Sequence, residues 1–147
     1  MSDLFFSYVE EDSQLALALA DGLDENGYST WCYERDGKAV VSYLDQVYEE
    51  LERAQAVVLV ISRQSVTSHQ VDREVIQAHE LKKKVVPILH GITYADLQQL
   101  RPHWFDMLGT APAITLPKGG IDAIIPKIIE GLRASSVEPL GVCPPQL

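Results

Sequence analysis

Glu74 is the residue of this 147-residue chain whose type and setting best suit it to chemistry. It lies on a stretch that reads as a helix, just after the aliphatic run Val57–Ile61. At about 100° per residue, Val71, Val75 and Ala78 share one helix face, with Leu81 at its edge. Glu74 falls on the margin of that stripe, whereas Arg73, Gln77 and Glu80 point away from it. A carboxylate so placed is either an edge residue that snorkels to water or a functional group held in a cleft. Spacing alone leaves both open.

The other reactive side chains form no pattern of this kind. His69, His79, His90 and His103 lack metal-ligand spacing, so no metal site is expected. Cys32 and Cys143 make neither a disulfide framework nor a metal cluster. GxxxxGK[ST] and GxGxxG are absent, and Val9-Glu10-Glu11-Asp12 stands where a flavin phosphate loop would be rich in Gly, Ser and Thr. A phosphoacceptor domain would carry an acid at the end of the third strand, where this chain has Ser62, and a lysine closing the fifth. The net charge of −9 argues against a nucleic-acid or anionic-membrane partner, but leaves room for a nucleotide in a local pocket. The hydrophobic fraction of 46% and charged fraction of 22% are those of an ordinary soluble domain. With no membrane-length apolar run and no export signal, a cytoplasmic location is expected.

The elements that must position Glu74 alternate between strand and helix. Val57–Ile61 has no polar alternation, as befits a strand buried on both faces. Before it come a strand at Leu4–Tyr8, a helix over Ser13–Glu25 stopped by Asn26-Gly27, and a strand at Tyr28–Tyr33. A charged loop follows over Glu34–Val41. Ser42 then caps a helix running to about Arg53, with Leu44, Val47, Tyr48 and Leu51 inward. After the Glu74 helix come a strand at Val85–His90 and a short helix near Tyr94–Leu100. An irregular turn through Arg101–Phe105 and a short strand at Ala113–Leu116 precede the last helix, Ile121–Ala134. Pro87 cannot donate to a ladder, so its strand should be near an edge or bulged there. The sequence reads as one domain over residues 1–134 and a Pro/Gly/Ser-rich tail or linker over 135–147.

Five β–α units imply an α/β fold. The expected form is a flavodoxin-like three-layer sandwich, with a five-stranded parallel sheet of order 2-1-3-4-5 and helices on both faces. Ligands of such sheets sit above the C-terminal strand ends at the switch point. The site should therefore draw on Tyr8–Asp12, Tyr33–Val41, Ser62–Glu74 and the chain from His90 onward.

LFFSYVEED, WCYERDG, VVLVIS and SHQVDREVIQAHELKKKVVPIL, in that order, resemble the boxes of a Toll/interleukin-receptor (TIR) domain of bacterial type. The resemblance implies one of two activities. Some members cleave NAD+ at the nicotinamide–ribose bond, giving ADP-ribose or a cyclic form, often in bacterial antiphage defence. Others only assemble with further TIR domains as scaffolds. The expectation is an NAD+ glycohydrolase or cyclase activated by self-association, with NAD+ as substrate and no further cofactor. The alternatives are a non-enzymatic TIR–TIR scaffold and a nucleoside deoxyribosyltransferase-like enzyme.

In the cleaving members the catalytic glutamate lies on the third helix, and Glu74 matches it. Loss of nicotinamide leaves an oxocarbenium-like ribosyl cation, which a nearby anion stabilises. The leaving group is already a pyridinium, so no general acid is required. By the same resemblance, Trp31 matches an aromatic that stacks on substrate, and Ser7 and Tyr8 match the strand end beside the nucleotide. Arg35 and Asp36 match the start of the loop covering the pocket. The family's RDxxPG reads Arg35, Asp36, Gly37, Lys38, Ala39 and Val40 here. Its WxxxE pattern has Gln70 in the aromatic position.

Overall fold

The computed structural model describes residues 3–108, 113–117 and 120–139. Leu4–Ser7 is β1 and Ser13–Asp24 is α1, followed by the two-residue β2 at Thr30–Trp31. A short helix α2, Tyr33–Asp36, and the longer α3, Tyr43–Arg53, lead into β3, Ala56–Ile61. The Glu74 helix, α4, spans His69–Glu80, and β4 spans Lys84–Leu89. Helices α5, Tyr94–Leu100, and α6, Pro102–Leu108, precede β5, Ile114–Thr115, and the closing helix α7, Ile125–Ala134. All pairings are parallel, in the order β2-β1-β3-β4-β5. This is the flavodoxin-like α/β arrangement expected from the sequence.

Strand alternation sorts the core into two faces. Leu4, Phe6, Val58 and Val60 pack with α1 and α7. Phe5 and Val57 pack with Val47 and Leu51 of α3, while Leu59 and Ile61 pack with Val71 and Val75 of α4. Ser7 lies two residues after Phe5 and therefore turns to the α4 side. Ser68 caps α4, its hydroxyl accepting from Val71 N–H at 3.2 Å, which satisfies a donor that would otherwise cost about 1 kcal/mol.

Several sequence expectations need correction. The strand expected over Tyr28–Tyr33 is only Thr30–Trp31, because the chain closes into α2. There the Asp36 carboxylate accepts from Cys32 N–H at 2.9 Å and Gly37 N–H donates to Tyr33 O at 2.8 Å. The turn expected at Arg101–Phe105 lies instead in and just before α6, since Pro102 opens a helix as readily as it ends one. Leu44 and Tyr48 of α3 face solvent, at 51% and 44% exposure, and Gln46 is buried in their stead. Val137, placed by the sequence in a tail, is buried and accepts from Tyr28 OH at 2.9 Å through its carbonyl. Residues 109–112, part of the turn at 117–120, and 140–147 with Cys143 lie outside the described residues.

Pro87 fits the sheet in a specific way. Leu116 N–H donates to Leu89 O on the β5 side, and His90 N–H donates to Ile61 O on the β3 side. Alternation turns Pro87, two residues before Leu89, toward the β5 side. Strand β5 pairs only with Ile88 and Leu89, so among the described residues no strand faces Pro87 there. Its missing N–H leaves no ladder bond unmade.

Candidate active site

Glu74 is not on the rim of its helix face but inside, 4% exposed. Its carboxylate bridges three elements. Ser7 Oγ, at the C-terminal end of β1, donates to Oε1 at 2.7 Å. Tyr43 OH, from the first residue of α3, donates to Oε2 at 3.0 Å. The Gln70 side chain, one turn earlier on α4, lies near both Glu74 and Tyr43 and favours their charged forms. Burial pushes the Glu74 carboxyl up to about 7, against the pull of the Ser7 and Tyr43 hydrogen bonds and of nearby Gln70, and the Glu34 carboxylate adds to the rise. Burial likewise raises the Tyr43 phenol, with the Glu74 charge behind it, so Tyr43 remains a donor at neutral pH.

A cleft of about 570 Å³ opens beside this carboxylate, at the C-terminal edge of the sheet. Glu10 follows β1, and Tyr33, Glu34 and Gly37–Ala39 follow β2. Tyr43 of α3 and Gln70 of α4 complete the lining. Tyr33 and Tyr43 meet edge to face at 4.5 Å and give the cleft an aromatic wall. Gly37 lets that wall form, since a Cβ there would lie 2.6 Å from Tyr33 O and 2.8 Å from its ring. A groove of about 620 Å³ between α1 and α7 is larger. Its charged residues, Glu25, Asp122, Glu130 and Arg133, are all exposed, whereas Tyr43 in the lining of the smaller cleft is bonded to the buried Glu74.

The loop between α2 and α3 is held by one buried side chain. Gln46 accepts from Lys38 N–H at 2.6 Å and donates to the carbonyls of Lys38 and Val41, both at 2.9 Å. Within the loop Val40 has φ 72°, a conformation glycine takes more easily. It occupies the position where the RDxxPG pattern has its glycine. Val40 and Val41 expose their side chains, next to Leu44 and Tyr48 on α3.

The residues singled out in the sequence divide into two groups. Glu74 and Ser7 are in contact. Tyr8 is buried on the α1 face, yet its hydroxyl reaches across to donate to Glu34 Oε2 at 2.8 Å. Trp31, Arg35 and Asp36 stand apart from the cleft lining. Trp31 is 7% exposed and stacked on Phe5 at 5.5 Å. Arg35 binds Asp24 at 3.0 Å, Asp36 at 2.8 Å and Thr30 O at 2.6 Å, which ties it to the β2 edge. No local pattern marks Tyr33, Glu34 or Tyr43. They lie within or beside the loop expected after the second strand, one of the regions assigned to the site, but only the fold turns them inward. Among the described residues no group of His, Cys, Asp and Glu could hold a metal, and no helix is long and apolar enough to cross a membrane.

The sequence profile of the TIR domain matches residues 4–119, and the chain belongs to the TIR-domain family. Solved structures agree on the fold. The TIR domain of the Toll-related receptor TRR-2 from Hydra magnipapillata superposes with a TM-score of 0.69 at 15% identity, covering 90% of this chain and 99% of that one. The TIR domains of the activated Roq1 resistosome, which directly recognises the pathogen effector XopQ, give 0.70 at 19% identity, with the same coverage of 90% and 99%. A TIR-STING receptor from C. gigas in complex with 2',3'-cGAMP gives 0.74 at 24% identity, covering 95% of this chain but 40% of that one. No curated protein sequence matches the chain.

Proposed function

We propose that this TIR domain cleaves the nicotinamide–ribose bond of NAD+, with Glu74 as the catalytic carboxylate. The observation that carries the reading is the Glu74 carboxylate, buried at 4% exposure and fixed by Ser7 and Tyr43 beside the 570 Å³ cleft. A cleft of this size suits a dinucleotide fragment. An anion held in place and shielded from water stabilises a ribosyl cation far better than a solvated one. Tyr33 and Tyr43 supply the aromatic surface for a pyridine or adenine ring that Gln70 does not.

A second reading is favoured by a separate observation. Val40 and Val41 of the loop and Leu44 and Tyr48 of α3 are exposed apolar side chains, which suit a TIR–TIR contact. A domain acting only as a scaffold would need these side chains and not the carboxylate. The two are separated by incubating purified protein with NAD+ and following nicotinamide release, with Glu74→Ala and Glu74→Gln alongside. The expected result is release by the wild type and a loss of about a hundredfold or more in both variants. No release at any protein concentration favours the scaffold. Release untouched by Glu74→Ala removes Glu74 from the chemistry. Cleavage of nucleosides but not NAD+ points to a transferase.

A further inference from the structure

The cleft holds a second carboxylate with a different environment. Glu34 lies on the wall contributed by α2, exposed to solvent, and its Oε2 accepts from Tyr8 OH at 2.8 Å. Tyr8 is 4% exposed, so a rigid core side chain fixes a rim carboxylate. Glu34 is close enough for its charge to act on both Glu74 and Tyr43. Glu74, in contrast, is enclosed, with its two oxygens engaged by Ser7 and Tyr43.

These environments suit different tasks. Water attacking a ribosyl C1′ must lose a proton. Glu74 is poorly placed to receive it, because donors already surround it and solvent does not reach it. Glu34 has lone pairs beyond the one Tyr8 uses and faces the open cleft. Paired carboxylates on either side of a glycosidic bond divide their labour in this way when water is the nucleophile.

We propose that Glu34 is the general base of the hydrolytic step and that Tyr8 is its positioning residue. The inference rests on the NAD+-cleaving reading above. The C1′–N bond breaks with its electron pair going to the pyridine ring, which leaves as neutral nicotinamide. The water oxygen bonds to C1′, its proton passes to a Glu34 oxygen, and ADP-ribose departs. Glu34 then returns the proton to solvent. A pyridine nucleophile has no proton to lose, so its attack on C1′ requires no base.

The test compares hydrolysis with exchange of nicotinamide for an added pyridine, 3-acetylpyridine, in wild type, Glu34→Gln and Tyr8→Phe. Glu34→Gln should lose about a hundredfold in ADP-ribose formation while retaining exchange. Tyr8→Phe should show a smaller loss in kcat for hydrolysis with KM little changed, and a lowered hydrolysis-to-exchange ratio. A merely structural role of Tyr8 would leave that ratio unchanged. Equal losses in both reactions, or no loss in either, overturn the assignment of Glu34 while the cleavage reading stands. A wild type that neither hydrolyses nor exchanges overturns both.

Discussion

Ser7, the last residue of β1, donates to Glu74 Oε1 at 2.7 Å across 67 positions of sequence. The sheet makes the contact possible. Phe5 and Ser7 share the face on which α4 packs, and β1 is flanked by β2 and β3.

Loss of this donor has a directional consequence. Burial raises the Glu74 carboxyl and the Ser7 bond opposes that rise. A hydrogen bond to a charged group is worth about 1.5–3 kcal/mol, or about one to two pH units. Ser7→Ala and Tyr43→Phe should each move the acid limb of the rate profile for nicotinamide release upward. Both should lose about tenfold at pH 7. The check is the pH dependence of kcat. A limb that stays near pH 7 in both variants would mean that another group controls it.

Stability should carry the same signature with the opposite sense. The Glu74 carboxyl stands at about 7 in the folded protein against an ordinary 4.5, so the folded state holds its proton more tightly. Its contribution is fully present below 4.5 and is lost as pH rises through about 7. At about 1.4 kcal/mol per tenfold change the full effect is about 3 kcal/mol. Glu74→Gln keeps a neutral side chain at every pH. Urea unfolding should therefore show the wild type losing ground to Glu74→Gln between 4.5 and 7, with a constant difference above. Parallel curves would show that the carboxylate is not held at a raised value.

The cleft wall depends on a residue without a side chain. Gly37→Ala would push a Cβ to within 2.6 Å of the Tyr33 carbonyl, and backbone cannot swing aside as a side chain can. A cost of about 1–3 kcal/mol is expected in urea unfolding, together with weaker substrate affinity, because Tyr33 and its partner Tyr43 would shift. Unchanged stability would mean that the loop accommodates a methyl group by moving away from Tyr33.

The sheet order, the Ser42 cap and the buried β3 run are legible in the sequence. An unalternated aliphatic run marks a central strand, and a serine before a periodic stretch marks a helix start. The depth of Glu74 is not legible. Helical periodicity sets an angle on α4, but Tyr43 of α3 and Ser7 of β1 decide what lies above that angle. Trp31 shows the same limit in reverse. An aromatic at a strand end reads equally as stacking platform or core, and here Phe5 covers it. Arg35 looks available for a phosphate in sequence, but Asp24, Asp36 and Thr30 already take up its guanidinium. Gln46 gives no warning of its role, since a glutamine amid the helical pattern of α3 looks like surface until the loop folds over it.

Pro87 has a consequence for the margin of the sheet. Among the described residues β5 pairs only with Ile88 and Leu89, so the first half of β4 has no strand partner on that side, and an unpaired strand invites another chain to add itself to the sheet. Pro87, itself buried, offers no N–H toward that side and so withholds one of the bonds such an addition would need. The sheet therefore resists runaway polymerisation at that margin.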